Sequence, residues 1–178
     1  MAKRWKPELQ EPPPCRYFTA IQFDDLQIFF KIRPHLSALF GPVDYDSEAI
    51  GLKPIPAHPG EMTRRHARVL SYGRPSGREE IVDLTKRVLT IREETQSEGR
   101  PKFDIDVAYL TEYSVIRSSM TDGFHSVYMY GGIYAEPICY FEKFAFHGFE
   151  HTVPFYRQKE MLLILSDLRI LLTGGNRG

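Results

Sequence analysis

Four side chains in this sequence have the chemistry of an acid/base or metal site: Asp104, Asp106, His125 and Glu136. An imidazole titrates near neutral pH, and a carboxylate beside it fixes its tautomer and steadies its protonated form. Paired carboxylates repel unless a cation or hydrogen-bond donors lie between them. Two readings follow. In one, the four converge: His125 and Asp106 work as catalytic groups with Glu136 orienting the imidazole, or Asp104 and Asp106 hold a divalent ion. In the other, the aspartates are solvated at a strand end and His125 and Glu136 satisfy each other across a sheet. Asp-x-Asp is too common a string to decide between them.

Whether these groups meet depends on the stretch 124–141, which carries the strongest strand and turn signals in the chain. Aromatic and β-branched residues fill Phe124–Tyr130 and Ile133–Phe141, and Gly131-Gly132 between them suits a two-residue turn with φ > 0 at both positions. A hairpin closed by that turn pairs Tyr130 with Ile133, Met129 with Tyr134, Val127 with Glu136 and His125 with Ile138. Opposed residues share a face, so His125, Val127, Met129, Tyr134 and Glu136 point one way, and Tyr128 and Tyr130 the other. His125 and Glu136 are then diagonal neighbours. Upstream, Asp104 and Asp106 share a face if Phe103–Val107 is extended.

Further candidates are weaker. Arg64-Arg65 is the best local anion-binding pair, with solvated arginines as the alternative. Glu61 is a carboxylate that joins Asp104 or Asp106 in the metal reading. His147 and His151 invite a metal reading with His125, but Gly148 argues against a helix that would put them on one face, and no ligand string matches.

The elements that position these groups follow from pattern. Residues 1–16, ending Glu11-Pro-Pro-Pro-Cys-Arg16, read as a Pro-rich extended leader; 17–173 read as one globular domain and 174–178 as a frayed tail. Tyr17–Phe23 is a strand. Asp24 or Asp25 caps a helix that ends at Gly41-Pro42, with a kink or break expected at Pro34. Val43–Leu52 is extended, and Ala67–Tyr72 is a strand. Ser76 and Glu79 form a capping box that opens a helix to about Glu94. A strand from about Tyr113 joins the hairpin, and a helix from Tyr156 or Arg157 to Thr173 is apolar nearly all round, hence buried in the fold or at a subunit interface. The expected fold class is α+β: a mixed or antiparallel sheet with three main helices, a ferredoxin-like half (β-α-β-β-α-β), and a C-terminal hairpin and helix.

Composition narrows the class of partner. The chain has 178 residues, 42% hydrophobic and 26% charged, with 23 basic and 23 acidic side chains. One well-buried core is the expectation, and zero net charge argues against a nucleic-acid or anionic-membrane partner. The two cysteines, Cys15 and Cys139, lack metal or redox spacing. No secretory signal opens the sequence, and no segment reaches the roughly 18 apolar residues of a membrane span, so a cytoplasmic location is expected.

Read from about Tyr17 to Leu172, the chain resembles the bacterial DUF4416 family, a domain of unknown function. The likeness is carried by Phe40-Gly-Pro-Val-Asp44 with Ser47-Glu48, by Glu61-Met62, by Ile105-Asp106 with Tyr109-Leu110, and by His125 with Tyr128 leading to Gly132-Ile-Tyr-Ala-Glu136. The chain departs from the family pattern at Val107-Ala108, where Pro-Gly is usual, at Ser126, where arginine is usual, and at Ala57-His58, where tyrosines are usual. The resemblance brings no reaction, cofactor or partner. It implies that Ser47, Glu61, Tyr109, Tyr128 and Tyr134 belong with His125, Asp106 and Glu136 as positions around a ligand.

Three functions remain open at this level. The first is a hydrolase or transferase acting on a phosphorylated or nucleotide-like small molecule, with a divalent metal as the cofactor it allows. The second is a non-catalytic module that stacks a base on Tyr128 and Tyr130, or on Met129 and Tyr134, near Arg64 and Arg65. The third is an interaction protein that forms a homodimer through 157–173. No P-loop, Ser-His-Asp string, zinc spacing or dinucleotide fingerprint is present.

Overall fold

The computed structural model describes residues 9–52, 64–96 and 98–174. Nine strands form a single sheet, and every pairing in it is antiparallel. Strand β1 (Arg16–Phe23) leads through helix α1 (Leu26–Phe40) to β2 (Val43–Asp46), β3 (Ile50–Gly51) and β4 (His66–Tyr72). Helix α2 (Ile81–Glu94) then leads to β5 (Phe103–Leu110) and β6 (Ser114–Ser119). The chain ends with β7 (Val127–Tyr130), β8 (Ile133–Glu142), β9 (Ala145–Gly148) and α3 (Lys159–Gly174). The strand order β2-β4-β1-β5 is that of a split β-α-β unit, the expected ferredoxin-like half, and β6, β8 and β7 extend it on one side.

Alternation along the central strands builds two cores. Tyr17, Ile21 and Phe23 of β1 pack with Phe29, Ile32 and Leu36 of α1 and Ile81, Leu84 and Val88 of α2. Phe18 and Ala20, on the opposite face, pack with Ala108 of β5 and with Met161, Leu165 and Leu168 of α3. Asp104, Asp106 and Ala108 pair with Gln22, Ala20 and Phe18, so both aspartates lie on the α3 face. Leu163, Ile170 and Leu171 are exposed on the outer side of α3. Among the described residues no helix is long and apolar enough to cross a membrane. Cys15 and Cys139 are free and buried, and burial pushes both thiols up to about 12.

Three expectations are corrected. The break allowed for at Pro34 does not occur: helix α1 is continuous through it, and packing of Ile32 and Leu36 on either side outweighs the one lost backbone bond. A 3-10 turn, Arg78–Glu80, leads into α2, and Gly77 rather than Ser76 caps that turn: its N–H donates to Glu80 Oε1 at 2.9 Å, and Ser76 Oγ donates instead to Arg74 O. The Gly131-Gly132 turn forms with φ of 60° and 82°, as expected, but the register beyond it slips. Tyr130 pairs with Ile133, whereas Tyr128 pairs with Tyr134 and Val127 with Ala135, because Met129 is bulged out of the ladder. Tyr128 therefore joins Tyr134 on the α3 face, their rings edge-on at 5.3 Å. Tyr130 faces α2, where its hydroxyl meets Asp83 at 3.2 Å. The β8–β9 turn is tighter in chemistry than in form: Lys143 and Phe144, neither a glycine, both hold positive φ, 50° and 67°.

Candidate functional site

Three strands bring charged residues into line on the α3 face. Ala108 of β5 pairs with Arg117 of β6, and Arg117 pairs with Glu136 of β8, so both side chains project on the same side as Asp106. Arg117 Nη2 donates to Glu136 Oε2 at 2.8 Å, and Nη1 lies 3.7 Å from Asp106 Oδ2. Tyr156, in the 3-10 turn before α3, donates to the same Asp106 oxygen at 2.9 Å. Burial works against the Arg117 charge, but Asp106, Tyr156 and Glu136 more than offset it and its pKa lies above the ordinary value. Burial also pushes the Asp106 carboxyl above its usual range despite Arg117 and Tyr156, and pushes the Tyr156 phenol well up.

The other oxygen of Glu136 holds the histidine. His125 Nε2 lies 2.7 Å from Glu136 Oε1, and Glu136 is only 4% exposed. The pair predicted from strand alternation is thus present, by another route. His125 is not in β7 but in the turn before it, where Ser126 N–H donates to Gly123 O at 2.9 Å. Its remaining nitrogen, Nδ1, is buried with no hydrogen-bond partner among the described residues.

A third residue arrives from the far side of β9. Pro137 has no N–H for the ladder, and the β6–β8 register shifts beside it, between Val115 and Ile116. At this bulge the Pro137 and Ile138 carbonyls accept from His151 Nε2 at 2.8 Å and Thr152 Oγ1 at 2.6 Å. Those bonds fold the 149–152 turn over β8. They set the His151 ring on His125, centroids 4.0 Å apart and planes 17° from parallel. Phe124 meets His125 edge-on at 4.7 Å, and Phe149 stacks on His151 at 5.3 Å. One donor atom each from His125, Glu136 and His151 lies within 4.8 Å of the others, a set able to hold a metal ion.

A scan against protein-family profiles matches residues 13–171 to DUF4416, a domain of unknown function. The chain belongs to the DUF4416 family. No curated protein and no solved structure matches it. Of the positions that the DUF4416 likeness singled out, the structure gathers Asp106, His125, Tyr128, Tyr134 and Glu136 on one face of β5, β8 and β7. Tyr109 is on the other face, edge-on to Tyr17 at 5.7 Å. Ser47 follows β2, at the opposite end of the sheet, where its hydroxyl accepts from Val69 N–H at 2.9 Å. Glu61 lies outside the described residues.

Asp104 and Asp106, on one face, take different partners. The Asp104 oxygens receive Arg64 Nε at 3.1 Å and Arg92 Nη2 at 2.7 Å. Arg64 also reaches Asp24 at 3.2 Å and the Pro101 carbonyl at 2.6 Å. Arg64 is therefore buried and spent on internal partners, while Arg65 is largely exposed beside Asp24. His147 sits apart on β9, stacked on Tyr140 and bonded to Glu142 O. Arg117, Tyr156 and His151 are the cluster members that sequence reasoning left out of the catalytic set. A proline inside a strand, at Pro137, was the available sign that free carbonyls and a bulge lay there. Among the hollows lined by described residues, one lies beside Asp24, Lys31 and Lys102 and another beside Ser47, Gln158 and Leu163.

Proposed function

We propose that this face is the functional centre of the protein, a hydrolase or transferase site for a small nucleotide-like or phosphorylated molecule. One observation carries the reading: Glu136, nearly sealed from solvent, spans Arg117 at 2.8 Å and His125 at 2.7 Å. Arg117 holds the carboxylate in place, and the carboxylate in turn orients the imidazole, which is the arrangement a proton carrier needs. His125 is the proton carrier, Glu136 and Arg117 are its positioning residues, and Asp106 and Tyr156 anchor Arg117 from behind. Support for a flat ligand comes from the rings. Phe124 is 95% exposed at the end of the Phe124–His125–His151–Phe149 series and offers a π-face to a base.

The test is a thermal-shift screen against nucleoside mono-, di- and triphosphates and sugar phosphates, repeated on His125→Ala and Glu136→Gln. The expected result is a ligand that raises the wild-type melting temperature by several degrees and loses its effect in both variants. A ligand whose shift persists in both variants would move the site elsewhere. If none shifts the wild type while both variants melt lower, His125 and Glu136 are a structural pair.

A further inference from the structure

We infer that His125, His151 and Glu136 bind a divalent transition-metal ion. The inference rests on the reading of this face as the functional centre and names the cation that completes it. Two carboxyl groups, Asp106 and Glu136, share the one guanidinium of Arg117, so the cluster keeps no surplus positive charge with which to meet a phosphorylated ligand. A divalent ion would supply it.

The donor chemistry fits. His151 gives its Nε2 proton to the Pro137 carbonyl, which leaves Nδ1 with its lone pair, the tautomer a metal-ligating histidine adopts when its other nitrogen is tied to a backbone carbonyl. His125 has one nitrogen on Glu136 and the other buried with no hydrogen-bond partner among the described residues, so taking a metal costs it at most one hydrogen bond. Glu136 is oriented by Arg117 through the oxygen not facing His125. The donors lie within 4.8 Å of one another; to seat an ion roughly 2.0–2.2 Å from each, His125 gives up its 2.7 Å contact with Glu136 and the two stacked rings turn so that their lone pairs converge. Two imidazoles and one carboxylate favour zinc, cobalt or iron(II) over magnesium or calcium, which prefer all-oxygen shells. Metal and proton compete for His125, so the imidazole is a ligand in the metal-bound form and a proton carrier only without it.

The experiment titrates the full chain, stripped with EDTA and dialysed, with Co2+ and separately with Zn2+. Visible ligand-field bands of Co2+ and isothermal calorimetry report binding, and circular dichroism reports the fold. One ion per chain is expected. His151→Ala, which leaves the His125–Glu136 pair in place, is expected to weaken binding by more than the roughly 10–100-fold that loss of a supporting residue costs. His147→Ala, a histidine outside the cluster, is expected to bind as wild type does. Absence of Co2+ bands in the folded wild type, or equal binding by His151→Ala and wild type, overturns the inference, as does loss of binding in His147→Ala alone. If Co2+ fails to bind while a nucleotide still shifts the metal-free chain and fails to shift His125→Ala, the metal inference falls and the small-ligand site stands. If Co2+ binds as expected and no small molecule shifts either form, the ion site stands and the small-ligand reading falls.

Discussion

Two of the guanidinium–carboxylate clusters on this sheet are balanced in opposite directions. At one end of β5, Arg64, Arg65 and Arg92 meet Asp24 and Asp104, three cations against two anions. Further along the same face, Arg117 alone meets Asp106 and Glu136, with His125 and His151 beside them. The first cluster closes on itself, each carboxylate shared by two arginines, and Arg65 reaches into solvent to shed its excess. The second can be neutralised only by something that comes and goes, a proton or an ion. A self-sufficient cluster fastens the fold; an unbalanced one is where chemistry is to be sought.

The largest effect expected from breaking this contrast is at Arg117. Arg117→Met leaves Asp106 and the nearly sealed Glu136 facing each other without a counter-ion, and about 3–5 kcal/mol of stability should be lost at neutral pH. Urea unfolding measures it, and the deficit should narrow as pH falls and Asp106, whose pKa burial raises, takes up its proton. Arg64→Met should cost less, roughly 1–2 kcal/mol in the same assay, because Asp24 and Asp104 are partly exposed and Arg92 and Arg65 still cover them. A loss at Arg64 equal to that at Arg117 would erase the distinction between the clusters.

The smallest effect is in the pH dependence, and its sign differs between the two clusters. Burial raises the Asp106 carboxyl, so the folded state holds that proton more tightly than the unfolded chain. Its contribution is present below the ordinary value of about 3.9 and is lost as pH rises through the raised one. For Asp24 burial is outweighed by its bonds to Arg64 and Arg65, and its pKa is lowered. Its contribution is present above about 3.9 and is lost as pH falls through the lowered value. In urea midpoints taken between pH 3 and 7, Asp106→Asn should remove a downward slope with pH and Asp24→Asn an upward one.

Much of the scaffold was legible because local rules and the fold agreed. The α+β class, the split β-α-β half, the Asp25 cap and the Gly131-Gly132 turn all follow from pattern and from φ requirements of single residues. The register of β7 was not legible, since nothing in Val-Tyr-Met-Tyr marks Met129 as the residue to be bulged. That slip carried Tyr128 to the other face. The meeting of His125 and Glu136 was foreseen, but through a strand pairing that does not exist; the turn at Gly123–Ser126 makes it instead. Asp104 and Asp106 look equivalent in a string of five residues and diverge because Arg64 and Arg92 capture one and Arg117 and Tyr156 the other. Partners so distant in sequence leave no local trace. His151 reaches the cluster only because a proline in β8 turns two carbonyls toward its loop.

The turn between β8 and β9 shows how much stability the chain leaves unclaimed. Lys143 and Phe144 occupy two adjacent left-handed positions that glycine or asparagine fills with little strain, and Phe144 is 96% exposed, so its ring gains no burial in exchange. Asn-Gly at these two positions is the substitution a protein engineer would make first for thermal tolerance. It lies on the connection to the strand whose far end leads to His151, so a more robust scaffold is reachable without touching a single member of the charged cluster.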